Sequence, residues 1–156
     1  MEMMLEEYKK LKSTPCPIRI VSEKDALKVL RHAKKARKED FRKPLPKAKT
    51  IFLQNTDYSV LIPYYCITNG CFLSEEYEFL SSEEAIKEKY EFQGLFTKEE
   101  LMNAKPKGIV IGRCPDGDVI LLRDNRQVVR VSHEEPMILE QWPTLAQFFV
   151  DVINET

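Results

Sequence analysis

Four apolar residues in a row, Val119, Ile120, Leu121 and Leu122, set the strongest limit on how this chain can fold. A strand with one wet face alternates apolar and polar residues, whereas a strand covered on both faces need not. The run therefore predicts a central strand packed on both sides. Gly108–Arg113 reads as the strand before it and Gln127–Ser132 as the strand after it, with turns at Pro115–Asp118 and Asp124–Arg126. In the first turn Pro115 presets φ, Asp116 can bond nearby backbone, and Gly117 accepts a positive φ. Lys107–Glu135 is thus read as a three-stranded antiparallel meander, which needs a cover for its apolar face.

The cover is written near the C-terminus. Thr144 and Gln147 form a T-x-x-Q capping box, and Leu145, Phe148, Phe149, Val152 and Ile153 then recur as one apolar helical stripe. Trp142 is expected at the start of that helix. Upstream, Ser22 caps a helix with Ala26, Leu27, Val29, Leu30 and Ala33 at helical spacing, and Pro44 and Pro46 are expected to stop it. Ser81 and Glu84 make an S-x-x-E box for a helix from Ser82 to about Glu91, and Thr97 with Glu100 repeats it for Lys98 to about Asn103. Glu2–Leu11 reads as a short amphipathic helix, and Ile18–Val21 and Tyr77–Leu80 as short strands. Thr50–Leu53 stays open between strand and helical turn. So does Tyr58–Ile67, where Pro63 opposes the β-branched and aromatic content. The sum is an α+β single domain over residues 1–156, an antiparallel β-sheet meander flanked by helices.

Composition narrows the class. A chain of 156 residues, 43% hydrophobic and 31% charged, supports one domain with one core. It has no apolar run long enough to cross a bilayer, and its charged start lacks a secretory h-region, so a cytoplasmic protein with no membrane partner is expected. Cys16, Cys66, Cys71 and Cys114 then read as reduced thiols, and none falls in a C-x-x-C pair. We expect no metal and no cofactor. Charge is unevenly spread: residues 1–50 hold fifteen Lys and Arg against seven Asp and Glu, a balance of +8, and the remainder stands at −9. Lys24, Lys28, Arg31, Lys34, Lys35, Arg37 and Lys38 crowd the basic helix of residues 23–43. Such a row attracts nucleic acid without reading its sequence. With no recognition motif beside it, a solvated helix face is the preferred reading and nucleic acid the minor one.

No catalytic constellation stands out. His133 with Glu134, Glu135 and Asp118 could be drawn as an acid–base cluster, but only residue type supports it, and a solvated loop is the plainer reading. Cys114 has no base beside it in sequence, and Gly108 with Gly112 is no dinucleotide fingerprint. The expectation is a protein that is not an enzyme.

The order of elements carries a family signal. An aromatic segment ends in Asn69-Gly70, followed by YEFLSSEEAIKE (Tyr77–Glu88), the strand GIVIG (Gly108–Gly112), a D-G-D turn, an apolar strand and a D-N-R turn. Then come VVRV (Val128–Val131), a loop with His133-Glu134-Glu135, and the aromatic-rich TLAQFFVDVI (Thr144–Ile153). This order resembles the SUKH superfamily, which includes the yeast glucan-synthesis regulator domain and many bacterial immunity proteins. The resemblance covers Tyr58 to Ile153, while residues 1–45, helical and basic, match it poorly. It implies an antiparallel sheet flanked by helices and a non-enzymatic binding role, typically the neutralisation of a cognate toxin that is often a nuclease. An acidic surface would complement a cationic nuclease. Loop residues Asp116, Asp118, Asp124, Glu134 and Glu135 are the expected partner contacts. The alternatives are a regulatory or scaffold domain and a nucleic-acid-binding protein. Homo-oligomerisation and a small ligand stay open.

Overall fold

Six antiparallel strands lie side by side in sequence order: β1 (Cys71–Phe72), β2 (Glu78–Phe79), β3 (Gly108–Arg113), β4 (Val119–Arg123), β5 (Val128–Val131) and β6 (Ile138–Trp142). Among the described residues four α-helices accompany them: α1 (Glu23–Ala36), α2 (Ile62–Tyr65), α3 (Ser82–Leu95) and α4 (Leu145–Asn154). The fold is α+β. The structure, a computed structural model, describes residues 21–95, 108–123, 126–134 and 137–154. The expected helices Glu2–Leu11 and Lys98–Asn103 lie outside the described residues, as does the expected strand Ile18–Val21 apart from Val21.

The apolar run forms the expected central strand. In β4, Ile120 and Leu121 are fully buried and Leu122 nearly so. The sheet is twice as wide as the expected meander, because β1 and β2 extend one edge and β6 the other. Nothing in the pattern of Met137–Trp142 announces a strand, for two reasons. The segment is a six-residue window between Pro136 and Pro143, and its register is broken. Arg130 pairs with Glu140 and Val131 with Ile138, so Leu139 is an extra residue on β6. A bulge of this kind blunts an edge strand against further pairing. A second bulge places Ile111 between Val110 and Gly112 on β3, and that residue is buried.

Local chemistry sets the helix ends. The Ser22 hydroxyl accepts from the Asp25 amide at 3.1 Å and opens α1. The helix stops at Ala36, well short of Pro44. Arg37 leaves helical geometry (φ −134°, ψ 58°), and its guanidinium donates to the Leu73 carbonyl at 2.9 Å. Tertiary anchoring, and no breaker residue, therefore ends this helix. Both open segments resolve as helical turns. Residues Ile51–Leu53 and Asp57–Leu61 are 3-10 turns, and Pro63 falls in the first turn of α2, where its missing amide costs nothing. At α3 the Ser81 cap forms: the Glu84 amide donates to Ser81 Oγ at 3.2 Å, and the Ser81 hydroxyl in turn donates to the Glu84 carboxylate at 3.0 Å. The helix runs on to Leu95, past the expected end. At α4 the box closes halfway. Thr144 Oγ1 accepts from the Gln147 amide at 3.1 Å, while the Gln147 side chain turns to Asp151.

An aromatic column joins helices to sheet. Phe149 of α4 stacks on Tyr64 of α2 at 4.3 Å and meets Phe79 of β2 edge-on at 5.2 Å. Tyr65 stacks on Phe79 from α2 at 5.0 Å. Phe148 meets Trp142 of β6 at 4.9 Å and Tyr77 at 6.2 Å. The same α4 helix packs along α1, whose Ala26, Leu30 and Ala33 are buried. The small residues at positions 26 and 33 permit that close approach. The C-terminal helix thus meets α1, α2 and the two strands β2 and β6 that flank the expected meander.

Two substitutions check this packing. Phe149→Ala removes a fully buried ring that packs on α2 and β2 and should cost about 3–5 kcal/mol in denaturant unfolding. Tyr65→Phe should be neutral or stabilising by about 1 kcal/mol, because the buried Tyr65 hydroxyl has no partner among the described residues. A clear loss in Tyr65→Phe would contradict this packing.

Candidate functional site

Register lines up Ile120, Arg130 and Glu140 across β4, β5 and β6, and two residues along the strands it lines up Leu122, Val128 and Trp142. Residues two apart share a face. The face whose Trp142 meets α4 therefore becomes charged one step further on. Arg130 is the centre of that charged end, with 14% of its side chain exposed. Its Nε donates to Asp118 Oδ2 at 2.8 Å and its Nη2 to Asp116 Oδ2 at 3.1 Å. Nη1 reaches the Tyr77 hydroxyl and Glu140 Oε1, each at 3.3 Å, and Glu76 at 3.9 Å. The guanidinium also lies over the Tyr77 ring, 5.5 Å from its centroid.

Asp118 is the buried partner, only 3% exposed at its side chain. Besides Arg130, its Oδ1 accepts from the His133 backbone amide at 3.0 Å and pairs with His133 Nδ1 at 2.6 Å. The turn before it delivers it there. Gly117 N–H donates to Cys114 O at 3.0 Å, the Asp118 amide donates to Asp116 Oδ1 at 3.1 Å, and Gly117 takes φ +104°. A Cβ at position 117 would also crowd the His133 ring, at 3.3 Å from its Cγ. The Pro-Asp-Gly signal therefore does two jobs, making the turn and aiming Asp118 at Arg130.

The electrostatics follow from this geometry. Burial pushes the Asp118 pKa up, but bonds from His133 and Arg130 outweigh it, and the net shift is downward. The bond to Asp118 raises the His133 pKa. Burial works against the Arg130 charge, yet Asp118 and Tyr77 hold its pKa above the ordinary arginine value. Burial, followed by the bond to Glu140, raises the Tyr77 pKa. Burial also pushes the Cys114 thiol up to about 12, so it is protonated in neutral solution and a poor nucleophile.

A second network lies beside the first. Arg113 on β3 pairs with Glu78 at 2.8 Å, Glu84 at 3.2 Å and Glu88 at 3.6 Å, and Arg42 reaches Glu84 at 2.8 Å. Between the two networks opens a cleft of about 350 Å³, with Phe72, Glu75, Tyr77, Arg113 and Gly117 on its walls.

The expected contact residues separate clearly. Asp116 is half exposed and Glu134 is 79% exposed at its side chain. Asp118, expected as a partner contact, is instead buried and holds Arg130 and His133, so it positions the turn and cannot meet a partner directly. Asp124 and Glu135 lie outside the described residues. Arg130, Tyr77 and Glu140 are site residues that sequence reasoning does not single out. The signal for Arg130 is present, as the one charge inside the apolar strand VVRV. Among the described residues, one trio offers metal-ligand atoms within 4.8 Å of one another: Asp116, Asp118 and His133. Arg130 already pairs with both of its carboxylates, and a divalent ion there would sit against a guanidinium. The trio fits a hydrogen-bonded clasp better than a metal site.

The chain matches no known family model, no curated protein and no solved structure.

The two opposed pKa shifts give a pH signature. His133 has a raised folded-state pKa, so its contribution is full below the ordinary value of 6.5 and is lost as pH rises through the folded value. Asp118 has a lowered one, so its contribution is present above the ordinary 3.8 and is lost as pH falls through the folded value. Stability should therefore peak in mildly acidic solution, between about pH 4 and 6.5. Melting temperatures across pH 4–9 should show a fall on the alkaline side that His133→Gln removes. An unchanged alkaline limb in that variant would contradict the clasp.

Proposed function

We propose that this chain is a non-enzymatic binding protein of the immunity type, which neutralises a cognate toxin domain by covering a cationic surface on it. One observation carries the reading: carboxylates outnumber the cation they surround. Asp116, Asp118, Glu140 and Glu76 all lie within 4.0 Å of the Arg130 guanidinium. Arg130 and a protonated His133 neutralise part of that charge, and Glu76 and Glu134 face solvent at 71% and 79% exposure. The surface keeps a negative excess held on rigid strands and a fixed turn. A preorganised acidic face speeds encounter with a basic partner and loses little ordering entropy on docking. The exposed Phe72 on the cleft wall adds the aromatic contact that interface centres favour. The SUKH-like order of elements agrees with this role, and a nuclease, with its cationic active site, is the toxin class that fits best.

The experiment is co-purification and growth rescue with the toxin domain encoded beside this gene. The wild type should bind and restore growth. Glu76→Lys/Glu134→Lys, which alters two exposed positions, should slow association roughly tenfold at low salt, with the gap closing as salt rises. The absence of both binding and rescue with every neighbouring toxin would overturn the proposal.

A further inference from the structure

The acidic face leaves the basic first third of the chain without a role. The structure divides its cations into two sets. Lys34 donates to the Ile67 carbonyl at 2.6 Å and Arg37 to the Leu73 carbonyl at 2.9 Å, so these two serve the fold. Lys24, Lys28, Arg31, Lys35 and Lys38 are all exposed. Among the described residues, no ion pair or side-chain hydrogen bond uses the charged end of any of the five. Their spacing is 4-3-4-3. The buried residues Ala26, Leu30 and Ala33 of α1 follow the same 4-3 step, offset by two positions. At 100° per residue an offset of two points nearly away from the core. The four cations on α1 therefore form one straight row on its outward face, and Lys38 lies just beyond its end. From Ala26 to Lys38 there is no acidic residue to interrupt it.

We infer that this row is a binding ridge for the phosphate backbone of a nucleic acid. From Lys24 to Lys35 the helix rises about 16 Å, over which one strand carries roughly five phosphates. Four to five cations along that length match the charge density of a strand. The same row suits other polyanions less well. A lipid surface is held by helices with apolar side chains beside the charges, and the apolar face of α1 is buried inside the protein. A protein partner would call for aromatic or aliphatic anchors, and this row has none. Backbone binding needs only the cations. The ridge reads no bases, so binding is independent of sequence and steeply dependent on salt.

Fluorescence anisotropy with a labelled 20-nucleotide single strand, titrated from 20 to 200 mM salt, tests the ridge. The full chain should bind at 20 mM salt, with log affinity falling against log salt at a slope of about −3 for four to five contacts. Lys28→Gln should reduce that slope by about 0.7. Lys24→Gln/Lys28→Gln/Arg31→Gln/Lys35→Gln, with circular dichroism confirming the fold, should abolish binding. Polyglutamate and vesicles rich in anionic lipid serve as rival ligands. The inference is overturned by no binding at 20 mM salt, by binding that survives the fourfold variant, or by polyglutamate or vesicles binding as tightly as the strand.

Discussion

A permanently charged guanidinium largely removed from water is the constraint around which the polar end of this molecule is built. Arg130 cannot shed its proton, so its burial must be matched by acceptors in fixed places. They come from parts of the chain far apart in sequence. Asp116 and Asp118 belong to the turn before β4, Glu140 to β6, and Tyr77 and Glu76 to the approach to β2. Arg130 lies on β5, between β4 and β6 in the sheet, and so reaches both neighbours at once. Asp118 then extends the network to His133 and ties down the loop after β5.

Tyr77 connects this charged end to the hydrophobic core. Its ring meets Trp142 at 6.0 Å and Phe148 at 6.2 Å, while its hydroxyl bonds Glu140 and Arg130. Displacing the aromatic column would therefore disturb the charges, and breaking the charges would loosen the column. Rigidity of this kind would suit the binding face proposed above. The carboxylates nearest Arg130 are spent on internal structure, and those further out are held at its rim. The bulge at Leu139 works in the same direction, because it blunts β6 and discourages pairing at that edge.

Much of the architecture is legible in the sequence because local rules and tertiary structure agree. Val119–Leu122, the Pro115–Gly117 turn and the Ser22, Ser81 and Thr144 caps each state their own outcome. What stays hidden depends on contacts across the sheet. The two-residue strand β1 exists by pairing and carries too little sequence to show a period, whereas β2 falls inside the expected strand Tyr77–Leu80. The bulge in β6 breaks the alternation that would have marked it, and α1 ends because Arg37 finds a carbonyl on a distant segment. The site is half legible. Loop carboxylates and His133 are visible as residue types, but the burial of Asp118 and the role of Arg130 arise only when three strands come into register. The basic helix is visible at once, yet which of its cations face outward is set by packing on α4.

The central claim is that Arg130 and Asp118 act as one unit on which the charged end depends. A double-mutant cycle with Arg130→Ala, Asp118→Ala and the double variant, read by urea unfolding, tests it most directly. Each single change removes the shortest ion-pair contact of a group that keeps other partners and should cost about 1–3 kcal/mol, while the double should cost clearly less than their sum, with a coupling of about 1 kcal/mol or more. Two single effects that add to within about 0.5 kcal/mol would contradict the claim.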